Sequence, residues 1–336
     1  MSTILRNAAF QKYIARVNVD EAHSIYTAGQ DLHGLKAFRP AWGQVADLRA
    51  LLNESIHWNF FSATFPLHIL KMIELKVLRD DYIRTQITSN RPNTMCATHK
   101  IVNSIEDPRN YECFLSKPFL LEEQPHVLIF CDDKDLTSKV SCHLNSCLPP
   151  DRRDEGIVMH YHSSMSEKYL KEAHDAFISE TGNCRILVTT SGQSVVSFSF
   201  LSLFYLLYNT SIIQGVDFPN VKIVCNAGLP ASGVDTLQRG GRAIRMGDGD
   251  ALFVIFYDSW VNEIDLEEFS TGDLLDPDRP RKKLDKNKKS TCRERASYFS
   301  VKIIKGQICI CESFAEYLGD KSTEGRYYSI YDNLRV

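Results

Sequence analysis

The chain has 336 residues, of which 43% are hydrophobic and 24% are charged, a composition typical of a globular protein with two or three domains. Its net charge of −3 excludes a protein that is basic over its whole surface, so any surface for nucleic acid must be local. The ten cysteines include no Cys-x-x-Cys pair, and the N-terminus has no apolar core segment. These features disfavour a zinc ribbon, a redox pair and a secretion signal, and they favour reduced intracellular thiols.

The first predicted elements end in two adjacent carboxylates. The apolar positions of residues 1–15 predict a helix, and the β-branched run at 16–20 predicts a short strand. The strand delivers Asp20 and Glu21 at its carboxyl end, where α/β sheets bind metals and phosphates. We therefore expect Asp20 to hold Mg²⁺ through water and Glu21 to polarise an attacking water.

Strands and helices then alternate along the chain. A helix at 45–52 is followed by a strand at 57–61, which ends in Ser62-Ala63-Thr64, and by a helix that Pro66 begins. Further elements are expected in the order strand 127–130, helix 135–147, strand 157–161, helix to 178 with Ser166 as N-cap, and strands 185–190, 221–226 and 251–257. This alternation predicts a parallel sheet with right-handed crossovers.

Residues 195–213 form a run of nineteen residues without a charge. As a helix this run would measure about 28 Å, close to the thickness of a bilayer core, so a membrane-spanning segment is one interpretation. Its several serines, the lack of a flanking basic cluster and its position inside an α/β domain favour an insertion instead, such as a translated intron.

The octet 238–245 combines a glutamine, two glycines and three arginines. On a helix, Gln238, Arg242 and Arg245 would line one face, since residues three and four apart are neighbours. Guanidinium groups are planar, permanently charged forks that suit phosphate oxygens. Arg242 and Arg245 would thus neutralise charge on a transferring phosphoryl group. An ordinary basic helix start is the alternative.

The run Val17–His23, which contains Asp-Glu-Ala-His, and the octet together resemble the Asp-Glu-Ala-His box and the arginine motif of superfamily 2 helicases. The RecQ-like branch fits best, over essentially the whole chain. The resemblance implies ATP-dependent 3′-to-5′ unwinding, with ATP and Mg²⁺ as cofactors, single-stranded or forked DNA as partner, no membrane contact, and residence in the nucleus. It also implies an α/β fold with two RecA-like parallel-sheet domains, the first incomplete, and a small mainly helical C-terminal region, at 1–89, 90–260 and 261–336.

An aromatic-rich loop follows the acidic box in this family. Phe38, Arg39 and Trp42 match its Phe-Arg-Pro element and would meet single-stranded DNA, where stacking on aromatic rings is worth about 1–3 kcal/mol per base. Ala28 stands where the family often has tryptophan, and residues 32–37 look inserted. The alternative is that Phe38 and Trp42 are core anchors.

Three further residues would couple the ATP state to the grip on DNA. Ser62 and Thr64 match the family's Ser-Ala-Thr element, and His23 closes the acidic box. His162 and Ser163 match a His-Ser element that would touch the DNA backbone. A helix cap with a surface histidine is the alternative for this pair.

The nucleotide site implied by the resemblance draws on both halves of the chain. If the run 195–213 is an insertion, the residues around it join into the family's motif V, an apolar strand leading into Gly-Val-Asp. Besides Asp20 and Glu21, the residues expected at the nucleotide are Gly215, Asp217, Gln238, Arg242 and Arg245. Arg245 is the better candidate for the arginine finger.

The segment after residue 260 resembles the family's zinc-binding region in outline. Tyr328–Leu334 occupies the place of Cys-x-x-Cys-Asp-Asn-Cys, so three of the four usual ligands are missing and no zinc is expected. The basic stretch 276–295 is interpreted as a solvated linker, with phosphate binding as the alternative. Arg91-Pro92-Asn93 matches the family's hinge between its two domains.

The phosphate-binding signature Gly-Lys-Ser/Thr does not occur in the sequence. In the family it lies well upstream of the acidic box, whereas here Met1 stands nineteen residues before Asp20. The expectation is a truncated first domain and a chain that is inactive by itself. A non-catalytic remnant that binds nucleic acid or a partner protein, or a truncated gene product, is the competing hypothesis.

Overall fold

A computed structural model describes residues 2–179, 181–190, 220–244, 249–270, 273–285, 287–288, 290–306 and 309–321. The chain folds into two compact units, each assembled from segments distant in sequence. The first comprises Met1–Asn90, Ala231–Val234 and Asp265–Val336, and the second comprises Arg91–Pro230 and Asp235–Ile264. The predicted features outside the described residues are Gly215, Asp217, Arg245, the run 195–213 and the segment 328–334.

The first unit contains a small parallel sheet. Its elements up to residue 90 are α1 (Ser2–Leu5), α2 (Ala8–Gln11), β1 (Arg16–Val19), α3 (Ser24–Thr27), α4 (Pro40–Gly43), α5 (Val45–Leu51), β2 (His57–Phe60) and α6 (Leu67–Lys76). β1 pairs with β2 in parallel, from Arg16 opposite His57 to Val19 opposite Phe60. The two strands therefore deliver the segments that follow them to the same edge of the sheet.

The single helix expected over residues 1–15 is wrong in its extent. Asn7 interrupts it, because its side chain accepts hydrogen bonds from the backbone N–H groups of Ala9 (2.9 Å) and Phe10 (3.3 Å). Asparagine competes with the helix in this way and favours an N-cap position, so the segment forms two separate turns of helix.

The second unit is built around six parallel strands in the spatial order β3-β8-β7-β4-β6-β5. Its elements are β3 (Thr94–Lys100), β4 (His126–Cys131), α7 (Lys134–Ser146), β5 (Val158–Tyr161), α8 (Glu167–Ile178), β6 (Ile186–Thr190), β7 (Val221–Ala227), α9 (Gly233–Gly240) and β8 (Ala251–Tyr257). The first two residues of α9 belong to the first unit. The predicted α/β fold with a parallel sheet is confirmed.

Burial follows strand position within this sheet. Central β4 is buried from Val127 to Cys131, as its continuous apolar run predicts. β3 lies at the edge, and its polar sequence hides it from a search for apolar runs, so sequence analysis missed it. Ser166 caps α8 by accepting from the N–H of Tyr169 at 3.3 Å, which confirms the predicted N-cap.

The helix expected through the arginine octet ends early. α9 stops at Gly240, where an added Cβ would lie 2.9 Å from the ring of Phe253. The N–H of Arg242 then donates to the carbonyl of Arg239 at 3.0 Å, so the chain continues as a turn. The prediction that Gln238 and Arg242 share a helical face is therefore wrong. Two consecutive glycines each cost about 1 kcal/mol in a helix relative to alanine, which favours termination here.

The remaining described α-helices lie in the first unit. They are α10 (Cys292–Arg295), α11 (Tyr298–Lys305) and α12 (Ile310–Leu318). α12 is capped by Gly319, which has a left-handed φ of 62°, as glycine after a helix often does. Within the described ranges, no helix combines the length and apolar character that crossing a membrane requires.

Candidate functional site

The parallel pairing of β1 with β2 brings two predicted motifs together in the first unit. The N–H of Phe61 donates to the carbonyl of Val19 at 2.9 Å, and the N–H of Ala22 donates to the carbonyl of Phe61 at 2.8 Å. These bonds continue the ladder beyond the strands, so the acidic box lies beside Ser-Ala-Thr at the carboxyl edge.

His23 lies at the centre of this junction. Its Nδ1 atom is 2.8 Å from the Ser62 hydroxyl, 3.4 Å from the Thr64 hydroxyl and 3.3 Å from a Glu21 carboxylate oxygen. The Ser62 hydroxyl also accepts from the N–H of Thr64 at 3.0 Å. The three residues predicted to couple, His23, Ser62 and Thr64, thus form one hydrogen-bonded group, and Glu21 of the acidic pair adjoins it.

Burial decides the charge of this histidine. Desolvation lowers the pKa of His23 to about 4, although the nearby charge of Asp20 acts to raise it. The imidazole is therefore neutral near pH 7 and can both donate and accept a hydrogen bond. It can pass a displacement of the acidic box to Ser62 without bringing a second charge into the site.

The acidic pair sits on an unusual backbone. Glu21 has a φ of 47°, in the left-handed region that residues other than glycine rarely adopt. Its N–H donates to a carboxylate oxygen of Asp20 at 2.9 Å, which stabilises the turn. Asp20 itself is exposed at the sheet edge, where a cation in water can approach it. Strain of this kind often occurs at functional sites.

The predicted DNA-facing loop is fixed by two glycines. A Cβ on Gly29 would lie 2.3 Å from the backbone nitrogen of Gly43, so the two backbones touch where side chains would keep them apart. The N–H of Arg39 donates to the carbonyl of Ala28 at 2.7 Å, and its guanidinium lies 5.4 Å from the Phe38 ring centroid. Phe38 is 47% exposed. The core-anchor alternative is therefore wrong for Phe38, whereas Trp42 is half-buried.

In the second unit, most of the described residues of the octet are buried. Gln238 and Arg242 are both buried, and Arg242 is among the largest fully buried side chains. Arg91 stabilises the turn that follows α9. Its guanidinium donates to the backbone carbonyls of Gly240 (3.3 Å), Ala243 and Ile244 (2.6 Å). Sequence analysis gave Arg91 only a hinge role and missed this contact.

Arg239 is a second residue whose role was missed. Its guanidinium donates to the side-chain oxygen of Asn226 and to a carboxylate oxygen of Asp132 at 3.2 Å, and it lies 5.6 Å from the Phe130 ring centroid. Asp132 follows β4, and Asn226 is near the end of β7. The octet contains three arginines. Sequence analysis selected Arg242 and Arg245 because of their spacing from Gln238, and it gave Arg239 no role.

The contacts of Arg239 mark a particular place in the sheet. The connection after β4 runs towards β5, whereas that after β7 runs towards β8, on the opposite side. Adjacent strands whose connections diverge form the topological switch point, outside whose carboxyl ends α/β proteins bind ligands. Arg239 therefore joins α9 to the expected ligand edge of this unit.

His162 does not face solvent. It is buried, with Nε2 3.3 Å from the Ser138 hydroxyl and Nδ1 accepting from the N–H of Ser164 at 3.3 Å. The surface-histidine alternative is wrong, and the ring is not presented to a nucleic acid. Ser163 is half-buried, and beside it the Lys134 ammonium donates to the Ser164 hydroxyl at 2.9 Å.

Residues 111–247 match the family model of the helicase conserved C-terminal domain. The chain is 24% identical over 340 residues to the ATP-dependent DNA helicase hus2/rqh1 of Schizosaccharomyces pombe, a match that covers 96% of this chain and 22% of that protein. This chain thus spans about a fifth of the length of that curated relative.

Several solved structures are similar in fold. Mss116p bound to single-stranded RNA and AMP-PNP has a TM-score of 0.50 at 16% identity, covering 80% of this chain and 48% of that one. Dbp5 of S. cerevisiae, bound to RNA and ADP BeF3, has a TM-score of 0.48 at 18% identity and covers 72% and 52%. Helicase Lhr of Mycobacterium smegmatis, bound to single-stranded DNA and AMP-PNP, has a TM-score of 0.48 at 18% identity and covers 76% and 30%.

At such identities structural likeness concerns the fold alone. The six-stranded parallel sheet is similar to the RecA-like C-terminal domain of helicases. Together, the domain match and the yeast relative show that this chain is similar to helicases.

Proposed function

We propose that the chain is part of an ATP-dependent DNA helicase of RecQ type. The observation that carries the proposal is the parallel pairing of β1 with β2, which sets the acidic box hydrogen-bonded to Ser-Ala-Thr through His23. A helicase must convert the state of a nucleotide into a change of grip on a strand. A neutral imidazole between a carboxylate and a hydroxyl suits that relay. The activity of the yeast relative, an ATP-dependent DNA helicase, supports the same function.

In this proposal the nucleotide end of the relay is the acidic pair. Asp20 holds Mg²⁺ through water and Glu21 polarises the attacking water, with ATP as the substrate. The other residues proposed to bind the nucleotide are Gly215, Asp217, Gln238, Arg242 and Arg245. The first two and the last lie outside the described residues.

The nucleic-acid end of the relay is the loop that carries Phe38, Arg39 and Trp42. The exposed Phe38 ring with a guanidinium beside it offers a face for base stacking and a charge for phosphate. Ser163 is retained as a backbone contact, whereas the buried ring of His162 would act only by holding the loop around it.

A second candidate function is a non-catalytic module that binds nucleic acid. The observation that favours it is the lack of a Gly-Lys-Ser/Thr sequence among the 336 residues. We expect no ATP hydrolysis by this chain with or without single-stranded DNA. Turnover that exceeds that of a Glu21→Gln variant would contradict this expectation and favour a chain that is catalytic by itself.

Both candidates require single-stranded DNA to bind. The test is fluorescence anisotropy of a labelled oligonucleotide, measured at about 50 and 200 mM salt because phosphate contacts weaken as salt rises. We expect saturable binding at the lower concentration and weaker binding at the higher one. Failure to bind at about 50 mM salt would overturn the proposal.

A further inference from the structure

A buried histidine of the first unit faces two carboxylates that the proposed helicase function does not use. His68 lies on α6, and Asp276 and Asp278 lie in the segment before α10. Their side chains are only 7%, 6% and 8% exposed. The imidazole is held edge-on by Tyr26 and Tyr317, whose ring centroids are 5.5 and 6.0 Å from its own.

The distances from His68 are too long for hydrogen-bonded ion pairs. Its Nε2 atom is 3.6 Å from Asp276 Oδ1 and 3.8 Å from Asp278 Oδ2, and both ring nitrogens are buried without a hydrogen-bond partner. An imidazolium would approach a carboxylate to about 2.7–2.9 Å. A buried polar atom left without a partner costs about 1–3 kcal/mol, so this arrangement needs an explanation.

A bound cation would explain why the buried Nε2 atom of His68 has no hydrogen-bond partner in the protein. In a tetrahedral zinc site, with bonds of about 2.0–2.2 Å, neighbouring ligand atoms are roughly 3.3–3.6 Å apart. The three ligand atoms of His68, Asp276 and Asp278 all lie within 4.8 Å of one another, and the two separations from the imidazole are within a few tenths of an ångström of that spacing. A divalent ion would also balance two adjacent carboxylates, which otherwise repel each other.

The two carboxylates are held in place by neighbouring groups. His33 Nε2 is 2.8 Å from Asp276 Oδ2, and the backbone N–H of Asp278 donates to Asp276 Oδ1 at 2.8 Å. The N–H of Gly233 donates to Asp278 Oδ1 at 2.7 Å, and the Tyr317 hydroxyl donates to Asp278 Oδ2. Hydrogen bonds that orient ligating carboxylates are typical of built metal sites.

We propose that His68, Asp276 and Asp278 bind one Zn²⁺ ion, with water as the fourth ligand. An imidazole with two carboxylates is a donor set that zinc accepts. The ion would join α6 to a segment about two hundred residues further along the chain, inside the first unit. These residues differ from Tyr328–Leu334, where the cysteine ligands are missing. A zinc ion here would make the expectation of a zinc-free protein wrong.

The test is the zinc content of the purified full chain after dialysis against metal-free buffer, measured by mass spectrometry. We expect about one zinc per chain in the wild type and a loss of at least tenfold in His68→Gln and in Asp278→Asn. Zinc added to the metal-free wild type should raise its melting temperature, because an ion that binds only the folded state stabilises it. This second readout remains valid even if a variant fails to fold.

Two control variants make the result specific. His126 is another histidine with a buried, unpartnered ring nitrogen, but its Nε2 faces the Arg185 guanidinium at 3.1 Å, so His126→Gln should keep its zinc. Cys147 belongs to a more exposed cluster with Glu112 and His143, and Cys147→Ser should keep it too. The proposal would be overturned if the wild type contained no stoichiometric zinc or if His68→Gln retained the ion. Loss of zinc from Cys147→Ser would overturn it as well.

Discussion

His23 links the acidic box to the second strand through a single ring nitrogen, 2.8 Å from Ser62 and 3.3 Å from Glu21. The coupling role of His23, Ser62 and Thr64 was expected from the resemblance to the family's motifs, and the parallel pairing of the two strands explains why these residues meet at one edge. The left-handed backbone of Glu21 could not be predicted, since glutamate has no preference for that region.

The first prediction concerns the pH dependence that His23 gives to stability. Its folded-state pKa of about 4 lies below the ordinary 6.5, so between these values the unfolded chain binds a proton that the folded chain does not. Stability should therefore fall as pH decreases from 6.5 to about 4, by roughly 3 kcal/mol at full effect. His23→Gln should remove that part of the pH dependence, as measured by urea unfolding across the window.

His57 supplies the matched control for this experiment. It is an exposed histidine on the neighbouring strand β2, so His57→Gln should leave the pH profile of the wild type unchanged. If the stability of the wild type and of His23→Gln changed with pH in the same way, folding would not lower the pKa of His23.

The second prediction concerns Arg239. Arg239→Ala would leave the buried Asn226 amide and the Asp132 carboxylate without the guanidinium that they share. Removing one partner of a buried ion pair costs about 3–5 kcal/mol, but Asp132 is 25% exposed and water can compensate in part. We expect a loss of about 2 kcal/mol in urea unfolding.

Arg109 is the comparison for Arg239. It also pairs with an aspartate, Asp107, but its side chain is exposed, and such surface pairs contribute little. Arg109→Ala should unfold at nearly the same urea concentration as the wild type. If Arg239→Ala lost no more unfolding free energy than Arg109→Ala, Arg239 would contribute no more to stability than a surface charge.

At the scale of elements, apolar runs predicted the buried strands β4, β6 and β8 and the capping residues predicted the start of α8. Edge strand β3 was missed because it is only partly buried and its sequence mixes polar and apolar residues without a continuous apolar run. The end of α9 was missed because a glycine pair was interpreted as a place for close packing, whereas it also terminates the helix.

The third prediction concerns the turn after α9. Arg91 donates to three carbonyls between Gly240 and Ile244, so it holds the segment that carries Arg242. Arg91→Ala should increase hydrogen exchange at the amides of Arg242 and Ala243, since local opening would lose these bonds. Hydrogen-exchange mass spectrometry of the full chain provides the measurement.

A different arginine tests whether the effect is local. Arg84 makes an exposed side-chain contact with Gln86 in the first unit, so Arg84→Ala should leave exchange in the turn unchanged. Unaltered exchange in Arg91→Ala would show that other contacts are sufficient to hold the turn.

At the scale of the whole molecule, the alternation of strands and helices was enough to predict an α/β protein, but not how its segments combine. The first unit gathers Met1–Asn90 with Asp265–Val336, a grouping that depends on contacts between residues such as Ser89 and Asp320. Local patterns carry no information about contacts between residues more than two hundred positions apart. For the same reason the neighbours of His68 were not foreseen.

The account depends most on the claim that the first unit binds single-stranded nucleic acid through the loop that carries Phe38. The direct measurement is the affinity for a labelled single-stranded oligonucleotide, by fluorescence anisotropy, of the wild type, Phe38→Ala and Tyr13→Ala, an equally folded control with an exposed aromatic ring elsewhere. We predict that Phe38→Ala binds about 5- to 150-fold more weakly, which corresponds to about 1–3 kcal/mol of lost stacking, and that Tyr13→Ala binds like the wild type. Equal affinity of all three proteins, or no binding by any of them, would contradict the account.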